Sequence, residues 1–244
     1  MSGGVLLFVL VADPWASRAH ADVEIRAQLV PRHTTVLSSE IAGKISALPV
    51  REGEAFAQGQ ELAAIDCDTY RARLQLAEAK TTGAERKLEA VRLLDARRAV
   101  GKVDLDLAVV DVDAARAEQQ MAAKDVSRCT LLAPFAGRVA ELRVKRFQSV
   151  AAGEPVIDIL NERDLELELL VPSRWTSWMK LGAAFRMDVE ELDRTFEAEI
   201  TRIVPRIDPV SQTIKIFGRI PGDHPELTAG MSGKARLTPP ETQR

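Results

Sequence analysis

One stretch of this chain occurs twice. Ile41 to Asp66 lies over Phe135 to Leu160 without a gap. Ala42 meets Ala136, Gly43 meets Gly137, Leu48 meets Leu142, Val50 meets Val144, Gly59 meets Gly153 and Ile65 meets Ile159. Lys44/Arg138, Ile45/Val139 and Leu62/Val156 are conservative pairs. Each copy alternates apolar and polar residues in short runs broken by glycine, which predicts short strands joined by tight turns. Gly43, Gly59, Gly137 and Gly153 are expected at structural turns, with φ > 0 at Gly59 and Gly153. The copies part at Gly53, which faces Phe147, so that turn is expected to differ between them. A unit of roughly 26 residues cannot bury a core alone. Two such units packed face to face form one small sandwich with pseudo-two-fold symmetry.

The residues between the copies have another texture. From Thr69 to about Arg98 there is no proline and a single glycine. Leu74, Ala77, Thr81, Ala84, Leu88 and Val91 alternate in spacings of three and four. From Asp104 to about Ser127 the same rhythm places Leu105, Ala108, Val112, Ala115, Gln119, Ala122 and Val126 on one face. Those are two heptad seams. Asp66 and Asp68 suit the first helix N-terminus. The linker around Gly101 is short, so the prediction is an antiparallel coiled-coil hairpin of about 45 Å, inserted into the sandwich and projecting from it.

Composition narrows the function classes. Apolar residues make up 46% and charged residues 28% of 244, a globular balance. The net charge is −3 and aromatics are 5%, so neither a basic footprint nor a stacking platform for nucleic acid is present. Val5 to Ala12 is a short apolar run followed by the small-x-small site ending at Ala21. Residues 1–21 are therefore expected to be a signal peptide, although no Lys or Arg precedes the run; a buried first strand is the other reading. The run is too short to span a bilayer, which takes about 20 residues.

After the second copy, Asp164–Pro172 alternates strictly, as a half-buried strand should. Pro172–Gly182 reads as a short helix capped by Ser173 and stopped by Gly182, with Trp175, Trp178 and Met179 on its inner face. Four further strand-like segments follow, which fits a small closed barrel. The expected domain plan is 22–66 with 130–162 as a split lipoyl-like sandwich, 67–129 as an α-helical hairpin, 163–238 as a β-barrel and 239–244 as a tail. The fold class is mostly β with an inserted helical hairpin.

With these segments in hand, the chain resembles the periplasmic adaptor subunits, or membrane fusion proteins, of bacterial tripartite efflux pumps. The residues that carry the resemblance are Ser38–Asp66, the hairpin, the Ala-Pro-Phe-x-Gly stretch at Ala133–Gly137, Asp208–Ile220 and Leu227–Leu237. The resemblance implies a non-catalytic periplasmic protein without cofactors. It further implies a link from an inner-membrane transporter to an outer-membrane channel, with association to the inner membrane through that partner. It also implies self-association into a ring, hexameric in the working complex. The barrel motifs lean towards a proton-driven resistance-nodulation-division (RND) transporter over an ATP-binding-cassette one. Related adaptors often add a membrane-proximal domain built from both termini; here it is expected to be absent or vestigial. Hairpin tips of that family carry Arg, then Leu four residues on, then Ser seven later. Leu94 matches the Leu; Ala90 and Gly101 stand in the other two places. The channel-docking tip is accordingly expected at Leu94, Arg97, Arg98 and Gly101.

Other readings remain in play. Sandwiches of this type also carry biotin or lipoate on a lysine at the turn between their halves, but here the hairpin occupies that turn. A generic periplasmic coiled-coil scaffold is a second alternative. His20, His33 and His224 are scattered, without metal-ligand spacing, and no nucleophile or nucleotide-binding motif is present. No catalytic, cofactor or metal residues are expected. Cys67 and Cys129 are the only two cysteines and flank the hairpin. An antiparallel hairpin brings its ends together, so they are expected to form a disulfide; two buried free thiols are the rival.

Overall fold

The computed structural model describes residues 23–238. The signal-peptide expectation and the tail at 239–244 lie outside them. In chain order the elements are β1 (Val23–Pro31), β2 (Thr34–Ser38), β3 (Gly43–Ala47), β4 (Ala55–Phe56), β5 (Glu61–Ile65), α1 (Asp68–Ala96), α2 (Lys102–Ser127), β6 (Thr130–Leu132), β7 (Gly137–Leu142), β8 (Ser149–Val150), β9 (Pro155–Leu160), β10 (Leu165–Pro172), β11 (Ala184–Val189), β12 (Arg194–Asp208), β13 (Thr213–Arg219) and β14 (Ser232–Leu237). A 3-10 segment, Ser173–Ser177, joins β10 to β11.

The strands form three sheets. Order β2-β9-β7-β4 and order β6-β5-β3-β8 make the two halves of a sandwich, and β1-β10-β13-β12-β11-β14 closes into a barrel. The chain divides into two units, 31–165 and the remainder. One barrel strand precedes the sandwich, so the sandwich is inserted within the barrel sequence and the helices within the sandwich.

That nesting corrects the expected boundaries. Residues 23–30 belong to the barrel, not to the sandwich. β1 pairs along its length with β14, from Val23↔Leu237 to Gln28↔Ser232. Its alternation was present in the sequence, with Ala27 and Leu29 turned into the barrel core. The partner strand lies some two hundred residues away, beyond the reach of local pattern. Within the barrel, Leu167, Leu169, Val171, Met187, Ile200 and Ile216 are buried at alternating positions, so the closed sheet is filled by side chains.

In the sandwich the repeat is structural to the level of single hydrogen bonds. At a constant offset of 94 residues, Gly53 N–H donates to Val139 O as Phe147 N–H does to Ile45 O, both at 2.8 Å. Gly59 N–H donates to Ala133 O as Gly153 N–H does to Ser39 O, at 2.8 and 2.7 Å. The turn carboxylate or amide does the same work in both copies: Gln60 accepts from Ala57 N–H, and Glu154 from Ala151 N–H. Each turn reaches across to the other copy, so neither half completes its bonding alone. The shared core runs through Ile45, Leu62, Ile65, Val139, Val156 and Ile159.

Gly59 and Gly153 have φ of 78° and 85°, the left-handed conformation expected of them. Two other readings change. Phe147 adopts φ 71° where Gly53 has 77°, so the two turns share one conformation although one holds a residue with a Cβ. Gly43 and Gly137 do not sit at turns; each opens a strand. A Cβ on Gly43 would lie 2.5 Å from Ile65 Cγ2, and one on Gly137 would lie 2.2 Å from Leu160 O. Close approach of the neighbouring strand requires glycine at these two places. On the sandwich surface Arg143 grips Asp158 through Nε and Nη2, both at 2.7 Å, and Arg138 does likewise with Glu162. These hydrogen bonds hold both carboxyls below their ordinary pKa.

The segment after β10 is a 3-10 turn in which Ser173 is the first residue and not a side-chain cap. Trp175 and Met179 are buried as expected, whereas Trp178 is only half-buried.

Candidate functional site

The helix pair is the element with no counterpart in a plain sandwich. β5 runs directly into α1, and α2 returns directly to β6, which pairs with β5. No described residue occupies a carrier-lysine turn between the halves, because the two helices and their linker, residues 68–127, stand there.

α1 has 29 residues and α2 has 26. At 1.5 Å per residue they extend about 40 Å. Cross-helix ion pairs fix their opposed directions: Lys80–Glu118 at 2.8 Å, Glu85–Arg116 at 2.7 Å and Lys87–Asp111 at 2.7 Å. Such exposed pairs each contribute roughly 0–1 kcal/mol, so they set register more than stability. The seam supplies the burial. All thirteen seam positions read from the sequence are buried or half-buried, with Ala77, Thr81, Leu88, Ala108 and Val112 the deepest. The small residues let the backbones approach. Thr81 Oγ1 sits 3.0 Å from Ala77 O on its own helix and 3.1 Å from Ala115 O on the other, a polar tie inside the seam.

At the base, Cys67 is the residue before α1 and Cys129 follows α2. Their Cα atoms are 5.7 Å apart and the sulfurs lie at bonding distance, across a sequence separation of 62. Both are buried at the sandwich core. Asp66 accepts from Asp68 N–H at 3.2 Å, so it serves the helix start that the sequence assigned to it, while Asp68 is the first helical residue.

At the tip the structure brings Leu94, Arg97, Arg98 and Gly101 into one turn. Ala99 N–H reaches Leu94 O at 3.0 Å and Arg98 N–H reaches Asp95 O at 2.7 Å. This is a Schellman closure with Arg98, φ 58°, in the position usually held by glycine. Gly101 opens α2 with ordinary φ −79°, and its N–H is taken by the Asp104 carboxylate at 3.0 Å. Leu94 is 42% exposed beside Leu93.

A further feature was legible in the spacing but not read there. Val103, Leu107, Val110, Ala114, Ala117 and Met121 follow one another at four, three, four, three and four residues. All are exposed and lie outside the inner seam of α2, with Met121 beside Leu76 and Ala77 of α1 around an open depression. α1 has a matching outer line: Leu76, Ala79, Gly83, Ala90 and Leu93, interrupted by Arg86. The pair thus carries an internal seam and two apolar outer edges. Among the described residues no three of His, Cys, Asp and Glu gather to hold a metal ion, and no helix is long and apolar enough to cross a membrane.

A filled barrel, a two-fold barrel-sandwich and a long helix pair inserted between its halves make up the described residues. Comparison with known proteins gives the family. Residues 33–161 match the barrel-sandwich hybrid domain of RND membrane fusion proteins, and residues 167–241 match the CusB-like β-barrel domain. The chain belongs to the RND membrane fusion protein family. It is 26% identical over 225 residues to the nodulation protein NolF of Rhizobium meliloti, covering 86% of this chain and 61% of that one. It is 31% identical over 115 residues to the solvent efflux pump periplasmic linker SrpA of Pseudomonas putida, covering 47% of this chain and 30% of that one. The chain spans about three fifths of the length of the curated relatives it matches along most of its own. In fold it is similar to a MacA–MexA chimera carrying the Pseudomonas aeruginosa MexA α-hairpin, with TM-score 0.79, 21% identity, and 90% and 79% of the two chains covered. The membrane fusion protein of Streptococcus pneumoniae R6 gives TM-score 0.74 at 16% identity, with 90% of this chain and 100% of that one covered.

Proposed function

We propose that this chain is a non-catalytic periplasmic adaptor that links an inner-membrane transporter to an outer-membrane channel. The observation that carries this reading is the pair of outer apolar edges on the helices. A helix apolar on two opposite sides needs a neighbour on both. Within the chain, α2 has α1 on one side only. The two edges are different surfaces of one copy, so the contact they favour is heterologous: the α2 edge of one copy against the α1 edge of the next. Heterologous contacts repeat, and they close when the rotation allows. Copies joined in this way would form a ring of helix pairs, a coiled-coil tube, and six copies is the count that the family resemblance implies. An RND transporter is the inner-membrane partner that the two matched family domains favour over an ATP-binding-cassette one.

The tip completes the reading. Leu93, Leu94, Arg97 and Arg98 project around a closed turn, an apolar and cationic end suited to the helical entrance of a channel. The double substitution Leu94→Asp and Arg98→Asp changes only this end. It is expected to abolish efflux, measured as drug susceptibility of cells relying on this adaptor, while the purified protein keeps its helical circular dichroism. Unchanged susceptibility would remove the tip from the docking site.

A further inference from the structure

One end of the barrel has a composition unlike the rest of it. The β12–β13 turn and the 3-10 segment meet there: Ser173 N–H donates to Gln212 O at 2.9 Å, and Pro172 pairs with Thr213. Every residue from 205 to 212 is exposed, so this hairpin protrudes. Its turn is locked from within. The Asp208 carboxylate accepts from Val210 N–H and Ser211 N–H, both at 2.9 Å, and from Ser211 Oγ at 3.1 Å. The turn's acid and amides therefore serve one another, and Val210 is held out at 93% exposure with Ile207 beside it at 51%. On the adjoining segment the Trp178 ring packs against buried Trp175 at 5.3 Å with part of its surface in water. Leu181 is 66% exposed in an open depression it shares with Trp178 and Lys180.

The charges are as distinctive. Most cations elsewhere on the barrel are paired: Arg194 with Glu226, Arg202 with Glu166, Arg219 with Glu199, Lys234 with Glu24 and Arg236 with Asp188, whereas Arg186 on β11 forms no ion pair with a described residue. Arg174, Lys180 and Arg206 at this end form no ion pair with a described residue. Asp208 is the single acid in segments 173–183 and 205–212, and it is engaged in its own turn. A chain of net charge −3 thus presents three uncompensated cations around four apolar side chains.

We propose that this barrel end docks directly on an anionic phospholipid bilayer. Val210, Ile207 and Leu181 enter the boundary between headgroups and acyl chains, Trp178 lies at that level, and Arg174, Lys180 and Arg206 reach the lipid phosphates. Interfacial tryptophan, protruding aliphatic tips and basic side chains are what such a surface selects. A turn whose polar groups are already satisfied can enter the interface without leaving one bare. The docking stands apart from the adaptor reading, since it needs neither transporter nor channel.

The test is partition of the purified full chain onto vesicles of phosphatidylglycerol against vesicles of phosphatidylcholine, read by co-sedimentation and by a blue shift of tryptophan emission. Binding to phosphatidylglycerol that weakens with salt is expected. Each basic residue near an anionic surface is worth about a factor of five, so Arg174→Glu, Lys180→Glu and Arg206→Glu, which reverse three charges, should together lower partition by at least about two orders of magnitude. Leu181→Asp with Val210→Asp should lower it at least tenfold, and both variants keep native circular dichroism because the altered residues are exposed. Equal partition onto the two lipids would overturn the proposal. So would binding that both variants retain, which would assign it to another segment. Capture of a solubilised inner-membrane protein through these residues, without vesicle binding, would make the face a protein-docking site and would overturn it equally.

Discussion

Breaking the link between Cys67 and Cys129 should loosen the sandwich and the helix pair together. The two residues close a loop with a sequence separation of 62. In the chain-entropy treatment a cross-link over a loop of that size stabilises by about 4 kcal/mol, through the freedom it removes from the unfolded chain. Both thiols are buried, so a double Cys→Ala variant adds a small cavity cost of roughly 1 kcal/mol to the loss of the cross-link. Reduction of the unaltered protein removes the cross-link alone. For a unit of this size each kcal/mol moves the midpoint by about 2–4 °C, so reduction should lower the melting temperature by roughly 8–16 °C. The assay is thermal unfolding followed at 222 nm with and without reductant, beside a thiol count under denaturing, non-reducing conditions on protein exported to an oxidising compartment. No titratable thiol is expected before reduction. Two titratable thiols, or a melting temperature unmoved by reductant, would refute the reasoning and leave two packed free cysteines.

Two further outcomes follow from the geometry. Arg98 holds a left-handed conformation that costs a residue with a Cβ about 1 kcal/mol, so Arg98→Gly should stabilise the helix pair by up to that amount, seen as slower amide exchange in the last turn of α1; faster exchange would mean that the Arg98 side chain itself braces the turn. Asp158 and Glu162 have their pKa lowered by hydrogen bonds from Arg143 and Arg138. A carboxyl depressed in the folded state contributes stability that is complete above its unfolded pKa of about 4 and is lost as pH falls through the folded value. Denaturant midpoints should therefore stay level near neutrality and decline below about pH 4, and Asp158→Asn with Glu162→Gln should flatten that decline; an equally steep decline in the variant would place the acid sensitivity elsewhere.

Much of this architecture was legible because it is periodic. The doubled stretch forecast a two-fold sandwich, and its turns recur bond for bond. The seam residues from Leu74 to Val126 face inward without exception. What was not legible depended on distance in sequence or on steric detail. β1 alternates correctly, yet only its pairing with β14 reveals that it closes a barrel. Gly43 and Gly137 looked like turn residues, but their task is to let a neighbouring strand pass within reach of a Cβ. Phe147 looked incompatible with the turn made by Gly53 and adopts it nonetheless, with Arg146 over its ring at 4.6 Å. The outer edge of α2 was written in the same three-and-four spacing as the inner seam. Once one face of a helix is assigned to a partner, a second regular face is easily passed over as surface.

That outer edge is where the account is most directly tested. Leu107 and Val110 lie along it, exposed and without a role in the internal seam, so Leu107→Asp with Val110→Asp should leave the monomer's melting temperature within about 4 °C. In-cell crosslinking in the presence of the transporter should give a ladder of multimers for the unaltered chain and lose its higher rungs in this variant, together with efflux. A ladder unchanged by the two aspartates, or a strictly monomeric pattern for the unaltered chain, would contradict assembly through the helix edges and the adaptor reading built on it.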